Sequence, residues 1–297
     1  MIAEYTYKAF GLVISSEIEC PELILHGGNA DVTIKLGKVS DNLENPLFTG
    51  VRFQAKEREF LLTVDGIARY YIVDGKRITI DIYPNANLAE VRLFLLGSAF
   101  GALLHQRGVL PFHGSAIKID SGAIILSGLS GAGKSTLASA FRSKGYKILS
   151  DDISAISISD NGSPFVQPGY PQVKLWSDSI TQLGDNPKKY AKVRAELEKH
   201  KVPISSDFYE NPLPLTKIFI LASSNLGDLK IEQIKGVEKF SLLKTHTYRF
   251  NFVSGKEMNE SHFKTFDILA KKIDVFKVFR PTGKFCFDEL INLILNG

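Results

Sequence analysis

Up to about residue 86 the chain alternates between apolar and polar positions. Asp31-Val32-Thr33-Ile34-Lys35-Leu36, Phe60-Leu61-Leu62-Thr63-Val64, Ala68-Arg69-Tyr70-Tyr71-Ile72-Val73 and Arg77-Ile78-Thr79-Ile80-Asp81-Ile82 follow, with some lapses, the period-two pattern of half-buried strands. Asp65-Gly66 and Asp74-Gly75 stand between successive runs and suit two-residue hairpin turns. The pattern predicts a β-rich N-terminal domain over residues 1–86, arranged as a meander of antiparallel strands.

Beyond it the period changes. Asn87 is placed to cap a helix running through Glu90 and Arg92 to Gln106, with Gly108 past its end. Its apolar stretch, Leu93–Leu104, is interrupted by Gly97 and Gly101, is too short to span a bilayer and reads as a buried helix. From Val109 the pattern is mixed α/β, which assigns residues 87–297 to a second domain. Pro187–His200 carries Lys188, Lys189, Lys192, Arg194, Glu196, Glu198 and Lys199 with no glycine, and predicts an exposed charged helix. Such a run is either a solvated face or a docking surface for an acidic peptide. Phe287–Leu295 has apolar residues at helical spacing and predicts a C-terminal helix.

Composition narrows the class. Hydrophobic residues make up 44% and charged residues 23%, ordinary values for a soluble globular chain. A net charge of +4, without a basic patch interleaved with aromatics, argues against nucleic acid as a partner. Cys20 and Cys286 are the two cysteines; they form neither a disulfide framework nor a metal-ligand cluster, which suits a reducing cytoplasm. The N-terminus lacks a basic segment followed by an apolar one, so a cytoplasmic protein without membrane attachment is expected.

The candidate chemistry centres on Gly128-Leu129-Ser130-Gly131-Ala132-Gly133-Lys134-Ser135, a complete G-x-x-x-x-G-K-[ST] phosphate-binding loop, or P-loop. Ala123–Leu126 before it reads as a buried strand and Thr136–Phe141 after it as a helix, whose N-terminus favours an anion. The expected nucleotide ligands are therefore Gly128, Leu129, Ser130, Gly131, Ala132, Gly133, Lys134, Ser135 and Thr136. Lys134 would reach the β/γ-phosphates of ATP and the Ser135 hydroxyl would sit on Mg²⁺.

Downstream, Tyr146-Lys147-Ile148-Leu149-Ser150 reads as a strand delivering Asp151-Asp152 at its end. Adjacent carboxylates there suit two jobs: one holds Mg²⁺ directly or through water, the other accepts the proton of an attacking hydroxyl. The alternative is that they cap a turn. Upstream, Pro111-Phe112-His113-Gly114-Ser115-Ala116 places an imidazole before the loop's strand. A lone histidine is more often structural; near a γ-phosphate it would bond the phosphoryl oxygens. Arg249 and Arg280 are candidate clamps for phosphate or a substrate carboxylate, or ordinary ion-pair partners. Trp176, the only tryptophan, either packs in the core or walls the site against adenine or peptide. Lys118 and Asp120 fit a hairpin edge.

His113-Gly114, Gly128–Ser135, Lys144-Gly145-Tyr146 and Ser150-Asp151-Asp152, with the intervals between them, resemble the catalytic domain of HPr kinase/phosphorylase. That resemblance implies an α/β fold of the phosphoenolpyruvate-carboxykinase-like kind: a P-loop kinase domain preceded here by the β-rich domain. It also implies that Asp152 is the general base toward a serine hydroxyl, that Asp151 assists at the metal, and that His113 lies close to the transferred group. The Glu-x-Arg-Gly type of signature expected after the aspartates, whose glutamate contacts the metal, is not found; Asp178 is a candidate to replace it. In its place stands Gln167-Pro168-Gly169-Tyr170-Pro171-Gln172-Val173-Lys174-Leu175-Trp176. This segment resembles the Pro-x-(Leu/Val)-x-Leu-Trp run of HPr-kinase-like proteins from bacterial peptide-modification clusters, among them the lasso-peptide tailing kinases. Arg92–Ser98, Gln106-Arg107-Gly108, Tyr248-Arg249 and Arg280-Pro281 are looser matches of the same kind.

The expected function is an ATP- and Mg²⁺-dependent serine kinase. Its substrate would be a precursor peptide or small protein, with a C-terminal serine as acceptor in the lasso-type reading. The alternatives are a true HPr(Ser) kinase/phosphorylase of carbon regulation, a kinase for a small molecule, and a nucleotide-sensing module that transfers nothing. A homo-oligomer is compatible with any of them.

Overall fold

The computed structural model describes residues 4–120, 122–224, 229–281 and 286–296. The chain divides into two compact units, Met1–Pro111 with Tyr248–Thr265, and Phe112–Thr247 with Phe266–Gly297. The fold is mixed α/β with several sheets.

The first unit is built on nine strands: β1 (Tyr5–Ala9), β2 (Leu12–Ser16), β3 (Ile24–Leu25), β4 (Val32–Leu36), β5 (Phe48–Thr49), β6 (Phe53–Ala55), β7 (Glu59–Val64), β8 (Ala68–Val73) and β9 (Arg77–Ile82). They form one sheet in the order β3-β1-β2-β4-β9-β8-β7-β6-β5. The expected meander holds for β7, β8 and β9, which pair antiparallel through the Asp65-Gly66 and Asp74-Gly75 turns. It does not hold for β4, which runs parallel to both β2 and β9. Alternation fixes which face Val32 and Ile34 bury but carries no information on strand direction.

Asn87 caps the helix as expected, its side chain accepting from the Ala89 N–H at 2.8 Å. The helix comprises α1 (Leu88–Phe94), a π-helical turn (Leu95–Ala99) and α2 (Phe100–Gln106). Among the described residues it is the one helix long and apolar enough to cross a bilayer, yet 67% of its apolar window is buried in the protein. Val91, Leu95, Phe100, Leu103 and Leu104 are all fully enclosed. At about 1.5–3 kcal/mol for each large apolar side chain, burial accounts for its apolar character. The helix is fastened to the sheet by the Tyr70 hydroxyl donating to the Val91 carbonyl at 2.9 Å and by Gln106 Nε2 donating to the Ile72 carbonyl at 3.3 Å. The expected boundary at 86/87 therefore falls inside this unit, and the division comes after Pro111.

The second unit carries β10 (Leu110–Ile119), β11 (Gly122–Gly128), α3 (Lys134–Ser143), β12 (Ile148–Ser150), β13 (Ile153–Ile158), β14 (Pro164–Gln167), β15 (Gln172–Trp176), α4 (Ser177–Gln182), β16 (Lys199–Pro203), β17 (Leu213–Ser224), β18 (Lys230–Ile234), α5 (Gly236–Thr245), β19 (Asp274–Pro281) and α7 (Phe287–Asn296), with α6 (Lys256–Lys272) crossing the division in sequence. Strands β11, β17 and β19 are mutually parallel neighbours, with Gly128 opposite Leu221 and Ser223 opposite Arg280. Their C-terminal ends therefore meet beside the turn that follows β11, the edge at which open α/β sheets bind ligands. The predicted strand before the aspartates and the C-terminal helix are present as β12 and α7.

The charged helix expected over Pro187–His200 is absent. Pro187–Lys189 makes a single 3-10 turn capped by Asn186, and Lys199–Pro203 zips antiparallel onto Gln172–Trp176 as the hairpin β15–β16. The charges of this run pair locally: Lys189 with Asp185, and Lys192 with Glu198. The burial of His200 and Val202 on alternate positions supplies a β-type reward that charge density does not reveal.

Candidate active site

The glycine-rich loop Gly128–Ser135 lies where the sequence places it, between the fully buried β11 and the first turn of α3. Gly128, Gly131 and Gly133 have φ of +148°, +80° and +90°, the backbone freedom a cradle of inward N–H groups requires. A Cβ on Gly128 would meet the Leu221 carbonyl oxygen at 2.7 Å and the Ala132 Cβ at 3.0 Å, so only glycine fits. Lys134 is 8% exposed and its Nζ donates to the Gly128 and Leu129 carbonyls at 2.9 and 3.0 Å. Burial lowers its pKa, with the charges of Asp151 and Asp152 pulling the other way.

Asp151 and Asp152 form the turn between β12 and β13, and Asp152 adopts φ +71°, a left-handed conformation uncommon for a residue with a side chain. The two carboxylates have different surroundings. Asp151 is buried and bonded on both oxygens, accepting from Ser115 Oγ at 2.6 Å and from the Lys174 main-chain N–H at 2.8 Å. Asp152 keeps a quarter of its side chain exposed, with Oδ2 2.8 Å from Lys174 Nζ and Oδ1 3.6 Å from His113 Nδ1. Burial works to raise the Asp152 pKa. The charge and hydrogen bond of Lys174, helped by His113 and Lys199, outweigh it and hold the carboxyl far below the usual carboxylate range.

His113 Nδ1 lies 3.1 Å from the Asp152 carbonyl oxygen, which only accepts, so the imidazole proton sits on Nδ1. Burial and the Lys134 charge lower its pKa against the opposing pull of Asp152, which keeps the ring neutral near pH 7. Arg280 donates from Nε to the Ala132 carbonyl at 3.1 Å and flanks Gly133.

These groups line one cavity of about 290 Å³ with His113, Lys134, Ser135, Thr136, Asp152, Lys174 and Arg280 in its wall. Trp176, Asp178 and Lys199 complete the same wall. Trp176 is not packed in the core: it is 43% exposed, with the Lys199 ammonium 5.9 Å from its ring centroid. Arg249 is not among these residues. It belongs to the first unit, where its guanidinium lies over the Tyr248 and Phe252 rings at 5.6 and 5.5 Å.

Lys174, Lys199 and Ser115 were not singled out from the sequence. Alternation in Gln172-Val173-Lys174-Leu175-Trp176, with Val173 and Leu175 buried, was the available signal: it puts Lys174 and Trp176 on one face. Nothing comparable marks Ser115.

No family model matches the sequence, and no curated protein does. Among solved structures, the HPr(Ser) kinase/phosphatase from Coxiella burnetii is similar at 12% identity and a TM-score of 0.35, over 63% of this chain and 88% of that one.

The donors fit a magnesium ion carried in by a nucleotide better than a preformed metal cage. Among the described residues no group of three or more His, Cys, Asp or Glu side chains is disposed to hold a metal. The Ser135 hydroxyl and the partly exposed Asp152 carboxylate line the cavity as hard oxygen donors, and Mg²⁺ keeps most of its shell as water and phosphate oxygen. Asp151 would have to share oxygens already bonded to Ser115 and Lys174.

Proposed function

We propose that this protein is an ATP-dependent phosphotransferase of the HPr-kinase type that phosphorylates a serine hydroxyl of a peptide or small protein. The observation that carries this reading is the ionised, partly exposed Asp152 carboxylate in the same cavity wall as Lys134 and Ser135. A loop that only senses nucleotide has no use for a carboxylate held deprotonated beside its phosphate lysine.

In this reading the loop N–H groups and Lys134 bind the triphosphate, and Ser135 would hold Mg²⁺ together with phosphate oxygens and water, the ion supplying charge neutralisation on the phosphates. The serine Oγ forms its bond to the γ-phosphorus as the bond to the β,γ-bridging oxygen breaks. Asp152 accepts the hydroxyl proton. Its depressed pKa makes it a weak base, sufficient for a loose transition state in which the proton leaves late and orientation matters most. His113, neutral with its proton on Nδ1, offers Nε2 as an acceptor near the transferred group. Arg280 steadies the loop through Ala132.

The acceptor proposed is the C-terminal serine of a precursor peptide of the lasso type. The Tyr170–Trp176 segment supports it, together with Arg280 in the cavity wall, whose charge suits a terminal carboxylate. The buried Cys20 thiol, outside any disulfide, suits work in the cytoplasm. Incubation with ATP, Mg²⁺ and the precursor peptide encoded beside the gene should give phosphopeptide in mass spectra. HPr as acceptor in a parallel reaction separates the carbon-regulation alternative. Phosphorylation of HPr but not of the peptide would overturn the acceptor assignment, and transfer to neither would overturn the kinase reading.

A further inference from the structure

The cavity wall formed by the β15–β16 hairpin presents the only tryptophan of the chain, 43% exposed, over the site. Exposed tryptophan in a cavity wall is a platform for a flat π-system. Trp176 shares its strand face with Lys174 and sits opposite Lys199 in the hairpin register.

The direction of the triphosphate follows from the loop. Lys134 folds back toward the Gly128 and Leu129 carbonyls, at the start of the loop, and its amine is the group that reaches the β/γ end. The opposite end is the first turn of α3, where Thr136 Oγ1 lies 2.9 Å from Ser179 Oγ. That bond ties the first turn of α3 to Ser179, and Trp176 and Asp178 line the same cavity just before it in sequence, on the side toward which an α-phosphate would leave the loop. Asp178 has one carboxylate oxygen on the Ser179 N–H and lines the cavity as an acceptor for sugar hydroxyls.

We infer that Trp176 is the stacking platform for the base of the bound nucleotide, with Asp178 beside it for the ribose. This inference rests on the nucleotide reading of the site and deepens it by assigning the nucleoside half. The acceptor is left with the Asp152–His113 side of the cavity.

Because Trp176 is the sole tryptophan, its emission reports on the contact without labelling. ATP and AMP should quench it on binding, whereas inorganic tripolyphosphate should bind by calorimetry and leave the emission nearly unchanged. Trp176→Ala should weaken ATP about tenfold or more, within the range for losing one base–aromatic stack, and leave tripolyphosphate affinity within twofold. Trp176→Phe should recover most of the loss, and circular dichroism of both variants shows whether the fold is kept. Equal quenching by ATP and tripolyphosphate, ATP binding with no change in emission, or equal weakening of both ligands in Trp176→Ala would overturn the inference while the phosphate site stands. Failure of the wild-type protein to bind either ATP or tripolyphosphate would overturn the nucleotide reading itself, and the inference with it.

Discussion

Lys174 holds the acidic pair at both ends: its Nζ stands 2.8 Å from Asp152 Oδ2 while its main-chain N–H donates to Asp151 at 2.8 Å. One residue thus sets the position of the turn and the charge of its outer carboxylate. The carboxylate that faces the cavity is paired with the Lys174 ammonium, and the buried one is tied into the scaffold by Ser115.

Asp152→Asn removes the proposed proton acceptor and retains the shape. Turnover should fall about 100-fold or more, the usual scale for general acid–base groups, with nucleotide affinity changed only a few-fold. Single-turnover kinetics beside calorimetry separates the two quantities; unchanged turnover would remove Asp152 from the base role.

Lys174→Met leaves a largely buried carboxylate without its cation. The loss of a charged hydrogen bond at this partly screened site should destabilise the fold by roughly 1–3 kcal/mol. The double variant with Asp152→Asn should lose less than the two single changes added together, because the isolated charge is then gone. Urea denaturation of the four proteins measures the coupling, and strict additivity would show that the pair contributes nothing.

Gly128→Ala places a Cβ against the Leu221 carbonyl oxygen and the Ala132 side chain at a φ of +148°. The loop must shift, so ATP affinity should fall at least tenfold and stability by about 1–3 kcal/mol. Wild-type affinity in this variant would show that the loop does not form the cradle described.

Acid should destabilise the protein through its buried imidazoles. In the first unit His105 Nδ1 bonds His262 Nε2 at 2.8 Å and His105 Nε2 donates to the Tyr248 carbonyl. Burial lowers both, His105 to about 3 with His262 adding to the shift, and His262 to about 4. In the second unit burial, with His113 and Lys134, brings His246 to about 4. A lowered histidine pKa means that the unfolded chain binds protons first. Stability is therefore full above about pH 6.5 and falls as the pH drops toward 4, by up to about 1.4 kcal/mol per unit for each ring. Denaturation at pH 7 and pH 5 measures this slope, and His262→Gln should flatten it; identical slopes would contradict the neutral buried pair.

The loop, its flanking strand and helix, the aspartate turn and the Asn87 cap were legible because each depends on local chemistry: glycine φ values, an apolar run, a capping amide. The position of Arg280 was not, because only the parallel register of β17 and β19 brings it to Ala132. Charge density misled over Pro187–His200, where the hairpin partner lies far back in sequence at Gln172–Trp176. The direction of β4 and the placement of the Leu88–Gln106 helix in the first unit likewise depend on contacts no local pattern encodes.

The proposed reaction is transfer of the γ-phosphoryl group of ATP, bound at this loop, to a serine hydroxyl. Its most direct test is the fate of γ-labelled ATP incubated with the protein, Mg²⁺ and the serine-ended precursor peptide. The label should appear on the peptide serine with the wild-type chain and vanish with Lys134→Ala. Tight ATP binding with no label on the peptide, on HPr or in free phosphate would contradict the account and leave a nucleotide-binding module in its place.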